Sequence, residues 1–450
     1  MVGSSHRRRR AESRAQASET LHAHPRLRAG AGAGARTTVD TFVAVAVIKY
    51  SLMSVLVAVT RYLAAKSFRR RALGAALRPQ GDALATHRRP KFYMSDRVEV
   101  FVCGGTGLVG SALVTQLRAN AASRANIKLV GFCSSTKIIA CEGEQKESVV
   151  RESADRRVPS DDEIMQCCSS PNATVCVVDA TSSEDVSALY APWLERRWHV
   201  VTCNKKVNSG NLEYYTRCMD ATKNGGGKWF VEATIGAGLP IVSTLRTLVA
   251  TGDEIESVQG IFSGTMSFLF NTWDGESAFS ETVALAKAAG YTEPDPREDL
   301  NGLDVARKVV IAARECGVAL SLDDVVVQSM VPSELASCSA DEFLERYAEN
   351  DAAMAQAAAN ASKKGCVLRF VGHVDVKARS ASVRLVEFAK AHPFATLSGA
   401  DNIFEIKTAR YGPTGGSTPL IVRGPGAGAA VTAAGVFGDI VGLAKNLSLA

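Results

Sequence analysis

The sequence lacks a C-x-x-C motif and has no histidine at the spacing of a zinc ligand, which excludes the usual structural zinc sites. Its 11 cysteines are scattered and odd in number, with one adjacent pair, Cys167 and Cys168. This usage is typical of reduced thiols in an intracellular protein rather than of a disulfide framework. No stretch interleaves aromatic with basic residues, so we expect no nucleic-acid partner.

Acidic residues are scarce in the first part of the chain. Residues 1–95 contain 18 Lys and Arg against 4 Asp and Glu, a net charge of +14, whereas residues 96–450 have a net charge of −8. The overall charge of +6 therefore comes from the N-terminal part. With 450 residues, 46% hydrophobic and 22% charged, the composition is that of a soluble globular protein of two or three domains.

Residues 1–95, here called the leader, are rich in Arg and Ala, and three interpretations of them stay open. Many Arg and Ser with few acids are typical of an organellar transit peptide. The apolar stretch Thr41–Thr60 has the length of a membrane anchor, although Lys49 near its middle would be costly there. The leader is otherwise a non-native extension, with translation starting near Met94. We expect an intracellular protein, cytoplasmic in that last case and organellar if the leader is a transit peptide.

Residues 96–230 read as a dinucleotide-binding domain. A strand at Arg97–Cys103 runs into G-G-T-G-L-V-G at 104–110, and a helix is predicted at Ser111–Asn120. Strand, glycine turn and helix are the context that a dinucleotide fingerprint needs, because the helix N-terminus then faces the pyrophosphate. A tight turn without a ligand is the alternative. The predicted cofactor contacts in this turn are Gly105, Gly107, Leu108, Val109 and Gly110.

The end of the second strand, Ile127–Cys133, bears on the choice of cofactor. An acidic residue there would bind the ribose 2′-hydroxyl of NAD, but the chain continues Ser-Ser-Thr-Lys at 134–137. Hydroxyls and a cation favour the 2′-phosphate of NADP, with NAD still possible. An exposed polar loop is the alternative.

Two further strand ends supply candidate site residues. Thr181 and Ser182 follow the strand Ala173–Asp179, and they either contact the cofactor or cap the next helix. The strand His199–Thr202 is followed by Lys205 and Lys206, of which one is a candidate functional lysine and the other solvated surface.

Residues 231–410 read as a second domain, which begins with a glycine-interrupted stretch, Val231–Leu239. Glu232 together with carbonyl groups turned out of a ladder is a ligand set for a hard cation. A helix N-terminus with a buried cap is the alternative.

The segment Gly290–Lys308 holds a dense run of acids around fixed prolines. A helix is predicted to begin near Asp299–Gly302, with Asn301, Asp304 and Lys308 on one polar stripe and Leu303 on the buried face. Carboxylates here would hold an ammonium group of a zwitterion, with Lys308 facing the reacting oxygen. A surface Asp–Lys ion pair is the alternative.

The rest of the chain predicts an open sheet and a return to the first domain. The strands are Val367–Val374, Ser382–Phe388 and Ile403–Thr408. Residues 411–450 then form a C-terminal segment, in which Gly424–Gly428 leads into a helix at Ala429–Leu449. The predicted fold class is therefore α/β, with a Rossmann-type doubly wound domain plus an α+β substrate and dimerisation domain.

Taken together, these motifs closely resemble the homoserine dehydrogenase family. The segments that carry the resemblance run in family order over about residues 97–450. They are G-G-T-G-L-V-G at 104–110, V-T-C-N-K-K at 201–206, E-A-T-I-G-A-G-L-P at 232–240, G-I-F-S-G-T at 260–265, G-Y-T-E-P-D-P-R-E-D-L-N-G-L-D-V-A-R-K at 290–308 and G-P-G-A-G-A-A-V-T-A-A-G at 424–435.

The resemblance implies oxidation of L-homoserine to L-aspartate 4-semialdehyde with NAD(P)⁺, and the reverse reduction, in threonine and methionine biosynthesis. It makes Lys308 the proton donor to the aldehyde oxygen and places Lys205 across the substrate, near the cofactor. The remaining implied roles are substrate binding by Gly290, Glu293 and Asp304, orientation of Lys308 by Asp299, and cofactor contacts from Thr181 and Gly428.

The resemblance also implies a structural Na⁺ site and a homodimer paired through the second domain. The sodium ligands would be Glu232 and the carbonyl groups of Ile235, Ala237 and Leu239. Since the leader is too short for an aspartate kinase domain and the chain ends soon after residue 428, we expect a monofunctional enzyme without ACT-domain control by threonine.

Two rival functions stay open from the sequence. An aspartate-semialdehyde dehydrogenase needs a nucleophilic cysteine with a partnering histidine, and Cys203 is the candidate cysteine. A non-catalytic NADP-binding sensor would be expected to lack a lysine at 205 or 308, and both are present.

Overall fold

The computed structural model describes residues 97–121, 126–142, 146–412 and 418–448, which all belong to one compact unit. The leader lies outside the described residues, and with it Thr41–Thr60 and Met94.

The first half of the described chain alternates strands and helices. In chain order the elements are β1 (Val98–Cys103), α1 (Leu108–Ala119), β2 (Ile127–Cys133), β3 (Lys137–Glu142), β4 (Lys146–Glu152), α2 (Asp161–Cys167), β5 (Thr174–Asp179), α3 (Glu184–Ser187), α4 (Tyr190–Glu195), β6 (His199–Thr202), α5 (Lys206–Ser209), α6 (Leu212–Lys223) and β7 (Trp229–Phe230).

The second half groups its strands around a separate sheet. Its elements are α7 (Val242–Ala250), β8 (Ile255–Ile261), α8 (Gly264–Thr272), α9 (Phe279–Ala288), α10 (Arg297–Leu300), α11 (Leu303–Glu315), β9 (Val325–Val327), α12 (Ala340–Arg346), α13 (Asp351–Lys363), β10 (Cys366–Asp375), β11 (Ser380–Ala389), β12 (Asp401–Thr408), β13 (Leu420–Pro425) and α14 (Ala429–Ser448).

The first sheet is a doubly wound one with seven strands in the order β4-β3-β2-β1-β5-β6-β7. Strands β2, β1, β5, β6 and β7 run parallel, and the antiparallel hairpin β3–β4 extends one edge. Helix α1 packs on one face and helices α2 and α4 on the other. The crossover direction therefore reverses between β1 and β5, which is where open α/β sheets bind ligands.

The second sheet has six strands in the order β13-β12-β8-β10-β11-β9. It is antiparallel except for the pair β9–β11. Helix α11 lies against this sheet, and its buried side chains include Val305, Val309 and Val310. The predicted α/β fold class with a second, mixed domain is confirmed.

Helix α14 returns to the first sheet after β13. Its length and mean hydropathy of 1.2 over residues 429–447 are compatible with a membrane span. One face, however, including Val436, Ile440 and Leu443, is buried against α1 and the sheet. That packing is typical of a core helix in a globular domain.

Three local predictions are wrong. Helix α1 begins at Leu108 rather than Ser111, because the extended Gly107 is its N-cap. The helix predicted to begin near Asp299–Gly302 is α11, which begins at Leu303, and Gly302, with a φ of +75°, separates it from the short helix α10. Asn301 therefore lies in the break, where its side chain accepts a hydrogen bond from the Leu303 amide, and it does not continue the polar stripe. Leu303 is 40% exposed rather than buried.

Candidate active site

The glycine turn after β1 is shaped by close backbone packing. Gly104, with a φ of +79°, is in the left-handed region. A Cβ at Gly105 would lie 2.6 Å from the Phe132 Cβ, and a Cβ at Gly110 would overlap the Gly104 carbonyl oxygen. Both positions therefore need glycine for steric reasons.

The N-terminus of α1 faces open space. Gly107 caps it without a side-chain hydrogen bond, and a Cβ there would meet only the Gly104 oxygen at 3.4 Å. The amides of Leu108, Val109 and Gly110 form the first turn of this 12-residue helix. Such an end binds anions, because its N–H groups lack partners within the helix and the helix dipole favours negative charge.

The polar loop after β2 forms a small hydroxyl-centred turn. Ser134 Oγ accepts a hydrogen bond from the Lys137 amide at 3.1 Å. Lys137 Nζ lies 3.3 Å from a Glu152 carboxylate oxygen, and Ser135 is exposed. The loop thus presents hydroxyls and a cation at the carboxyl end of β2.

A buried hydrogen-bond network, here called the Asp179 network, joins the loops after β5 and β6. The Asp179 carboxylate accepts from the Thr181 amide (2.8 Å) and hydroxyl (2.6 Å), the Tyr190 hydroxyl (2.6 Å) and the Asn204 side-chain amide (3.0 Å). Burial raises the Asp179 pKa, and these four hydrogen bonds oppose the rise. Thr202 contributes by accepting from the Asn204 amide at 2.8 Å.

Of the residues predicted after β5, Thr181 lies beside the glycine turn. A Cβ at Gly104 would lie 2.7 Å from the Thr181 methyl group. Ser182 is exposed, and the helix cap is supplied by Ser183, whose Oγ accepts from the Val186 amide.

The two lysines after β6 have different surroundings. Lys206 Nζ pairs with Glu184 at 2.7 Å on the surface. Lys205 Nζ reaches the second domain and lies 3.5 Å from Asp304 Oδ1. The Asn204 side chain, held by Asp179, accepts from the Lys206 amide at 3.0 Å and so fixes this loop.

Helix α11 presents Asp304 and Lys308 one turn apart. Lys308 Nζ donates to Asp304 Oδ2 and to the Phe262 carbonyl oxygen, both at 2.8 Å. Asp304 therefore bridges Lys308 and Lys205, which come from different domains. Desolvation opposes ionisation of Asp304, but the two ammonium groups outweigh it and hold its pKa far below the usual value.

The other acids of this segment lie around the same helix end. The Asp299 carboxylate accepts from the Glu293 amide and the Thr265 hydroxyl, each at 2.8 Å, and burial raises its pKa. Glu293 and Gly290 are exposed, and Gly290 has a φ of +75°. Lys308 donates its hydrogen bonds to Asp304 and to the Phe262 carbonyl. Asp299 instead binds the backbone amide of Glu293 and so holds the loop before α10.

The predicted second glycine contact, Gly428, immediately precedes α14 and is exposed, with a φ of +114°. The Gln116 side chain of α1 donates to the Ala430 carbonyl at 3.0 Å, which ties the start of α14 to the glycine-turn helix. Asn402, whose side chain donates to the Phe262 carbonyl at 3.2 Å, packs under the glycine loop at Gly426.

The Val231–Leu239 stretch combines the buried Glu232 carboxylate with an irregular backbone, in which the Leu239 carbonyl accepts from the Ile241 amide at 2.9 Å. Glu232 accepts from the amides of Val242 (2.8 Å) and Ser243 (2.9 Å) at the start of α7, so the cap interpretation describes part of its role. Gly236 and Ala237 both have positive φ, +66° and +55°.

Cys203 lacks the features of a nucleophile. Its Sγ lies 3.8 Å from the Asp179 carbonyl oxygen, and burial raises its pKa to about 11. A thiol of this kind is protonated at neutral pH, so the geometry does not favour the semialdehyde dehydrogenase alternative.

Sequence reasoning missed several residues that shape this site. Asp179 ends a buried strand at the ligand-binding edge of the sheet, and that position was a usable signal. Asn402 had no local signal, and the contacts of Thr265 and of the Phe262 carbonyl were not predicted from the motif at 260–265, because their partners lie far away along the chain.

Comparison with known proteins identifies the family. A family model described as "Homoserine dehydrogenase, NAD binding domain" matches residues 105–232, and one described as "Homoserine dehydrogenase" matches residues 240–441.

Three similar proteins illustrate the match. A homoserine dehydrogenase of Saccharomyces cerevisiae is 41% identical over 79% of this chain and 100% of its own length. The chloroplastic bifunctional aspartokinase/homoserine dehydrogenase 1 of Arabidopsis thaliana is 44% identical over 81% of this chain, which spans only 40% of that relative. A crystal structure of a Candida auris protein of unknown function shares 36% identity and a TM-score of 0.68, covering 78% of this chain and 98% of that one. The chain belongs to the homoserine dehydrogenase family.

Proposed function

We propose that this chain interconverts L-homoserine and L-aspartate 4-semialdehyde with a nicotinamide cofactor. The observation that carries the proposal is the Lys308–Asp304–Lys205 arrangement, which brings two ammonium groups together on one carboxylate at the junction of the two sheets. In the direction of reduction, negative charge develops on the aldehyde oxygen, and a nearby ammonium group stabilises it and donates a proton.

Lys308 is suited to be that donor. Its ammonium group has three N–H bonds. Two of them are directed to Asp304 and to the Phe262 carbonyl, so the third is available for the substrate oxygen. Lys205 completes the pocket from the cofactor domain, where its charge faces the same carboxylate.

The acidic residues suit the ammonium group of homoserine. Glu293 and Asp304 are the proposed ligands, with Gly290 lining the pocket. Asp299 positions Glu293 through its backbone amide, and Thr265 holds Asp299 in place. Carboxylates that surround an ammonium group stabilise it more than they would a neutral alcohol, which gives preference to an amino acid over a simple hydroxy compound.

The residues around the glycine turn fit a dinucleotide. The uncapped N-terminus of α1, at Gly107, Leu108, Val109 and Gly110, would hold the pyrophosphate. Thr181, Ser182, Lys205 and Gly428 would contact the nicotinamide and ribose, and the loop at 134–137 favours NADP while permitting NAD. When bound, the cofactor accepts the hydride from homoserine or returns it to the aldehyde.

We further propose a structural Na⁺ site and a homodimer. The donor set of Glu232 and the carbonyl groups of Ile235, Ala237 and Leu239 fits a hard cation, since it offers oxygen atoms and one negative charge. Replacing Na⁺ with the larger tetramethylammonium ion is expected to lower the melting temperature of the protein. Sedimentation should give the mass of two copies of the chain. Equal melting temperatures in the two salts would contradict the proposed Na⁺ site.

The activity is tested with the purified full chain by following nicotinamide absorbance. We expect turnover with L-homoserine and NADP⁺, and a lower kcat/KM with NAD⁺. The D-enantiomer and 1,4-butanediol, which lacks the ammonium and carboxylate groups, should be poor substrates. Turnover of aspartate semialdehyde that requires phosphate would instead support the rival function, and cofactor binding without turnover would support the sensor.

A further inference from the structure

A buried arginine joins the two elements that carry the candidate catalytic lysines. Arg314 is six residues after Lys308 on α11 and only 6% exposed. Its guanidinium stacks over the Tyr215 ring, with a distance of 4.8 Å to the ring centroid. It donates to four backbone carbonyl groups, those of Leu320 (3.0 Å), Val207 (3.3 Å), Asn208 (2.9 Å) and Gly210 (2.7 Å).

Three of these carbonyl groups belong to the end of α5, the short helix that begins directly after Lys205. Val207 and Asn208 belong to this four-residue helix and Gly210 is its C-cap, and the carbonyl groups at a helix C-terminus favour a cation. Within the described residues, Arg314 has no carboxylate at ion-pair distance. Three of the four carbonyl groups that its planar guanidinium binds therefore lie in one backbone segment, 207–210.

The two elements are therefore linked at two points. Near the start of α11, Asp304 contacts Lys205 at 3.5 Å, but the two side chains are 46% and 32% exposed. Exposed ion pairs contribute little and hold geometry loosely. Ten residues further along α11, about 15 Å away by helix rise, Arg314 makes the buried link.

We propose that Arg314 is a positioning residue that sets the distance between Lys205 and Lys308 by clamping α5 to α11. This inference rests on the proposed function, because it assigns Arg314 a part in that reaction. Arg314 acts at a distance through the backbone at 207–210, which continues into Lys205.

The chain offers a matched control. Arg369 is also 6% exposed and also donates to four backbone carbonyl groups, those of Phe394, Phe270, Leu368 and Ala395, away from both lysines. Arg314→Lys should lower kcat for homoserine by about 10- to 100-fold, since small misplacements of reacting groups have effects of that size. Arg369→Lys should lower the melting temperature but not kcat.

A double-mutant cycle tests whether the effect passes through Lys205. In a Lys205→Met background, Arg314→Lys should lower kcat no further. An equal loss in that background, or the same loss of kcat in Arg369→Lys, would overturn the proposal. If Arg314→Lys does not fold, Tyr215→Leu removes the ring under the guanidinium and should give a smaller loss of kcat, with Tyr215→Phe as its control.

A second readout does not depend on activity. Acetylation of Lys205, quantified by mass spectrometry with the exposed Lys146 of β4 as the internal reference, should speed up severalfold in Arg314→Lys and not in Arg369→Lys. Unchanged labelling would overturn the positional link. If the wild-type chain does not turn over homoserine while labelling changes as expected, the proposed function fails and the clamp itself stands.

Discussion

Replacing Asp304 by Asn should separate the charge of the bridging carboxylate from its shape. The carboxylate lies 2.8 Å from Lys308 Nζ and 3.5 Å from Lys205 Nζ. Two unit charges about 4 Å apart interact by ~1 kcal/mol in water and ~4 kcal/mol at an effective dielectric constant of 20. Because the Asp304 side chain is 46% exposed, the lower value applies to each contact. The two together give ~2 kcal/mol, or about a 30-fold loss of kcat/KM.

The assay is steady-state kinetics with L-homoserine, followed by nicotinamide absorbance. The matched control is Glu342→Gln. The Glu342 carboxylate pairs with Arg346 at 3.0 Å, also at i, i+4, and the Glu342 side chain is 48% exposed. That control should keep full activity. Wild-type kcat/KM in Asp304→Asn, or an equal loss in Glu342→Gln, would refute the assignment of Asp304 to the site.

Three further substitutions test other parts of the account. In Asp179→Asn, an NH2 group replaces one carboxylate oxygen and faces two hydrogen-bond donors, which should lower the free energy of unfolding by about 2–4 kcal/mol. Burial raises the folded-state pKa of Asp179. The free energy of unfolding of the wild type should therefore fall as the pH rises from the unfolded-state pKa, near 3.8, to the higher folded-state pKa. Denaturant titrations of Asp179→Asn should not show this dependence on pH. Asp299→Asn should raise the KM for homoserine more than it lowers kcat. In the wild type, kcat/KM should decline on the acid side at a pH above the usual pKa of an aspartate, because burial raises the pKa of Asp299. Gly110→Ala should weaken cofactor binding in a titration, since its Cβ would overlap a backbone oxygen, whereas Gly438→Ala, which meets open space, should not.

Much of the site could be predicted from the sequence where the signal is local. The strand, glycine turn and helix at 98–119 follow one another along the chain, so steric rules at Gly105 and Gly110 apply directly. Asp304 and Lys308 are one helical turn apart, and their pairing follows from helix geometry.

Contacts between distant segments could not be predicted in this way. The link from Arg314 to Gly210 spans 104 residues, and the Asn402 contact with Phe262 spans 140. Such pairs depend on how the two sheets pack, which no local pattern encodes. The break at Gly302 had a local signal, an Asn-Gly pair, but the strong apolar periodicity of Val305–Val310 concealed it.

The central claim is that Lys308 donates the proton to the aldehyde oxygen. It is tested most directly by comparing kcat for aspartate 4-semialdehyde reduction in the wild-type chain and in Lys308→Ala, with and without added ethylamine. We predict a loss of at least about 100-fold, partial recovery with the amine, and unchanged cofactor affinity. Wild-type turnover in Lys308→Ala would contradict the claim.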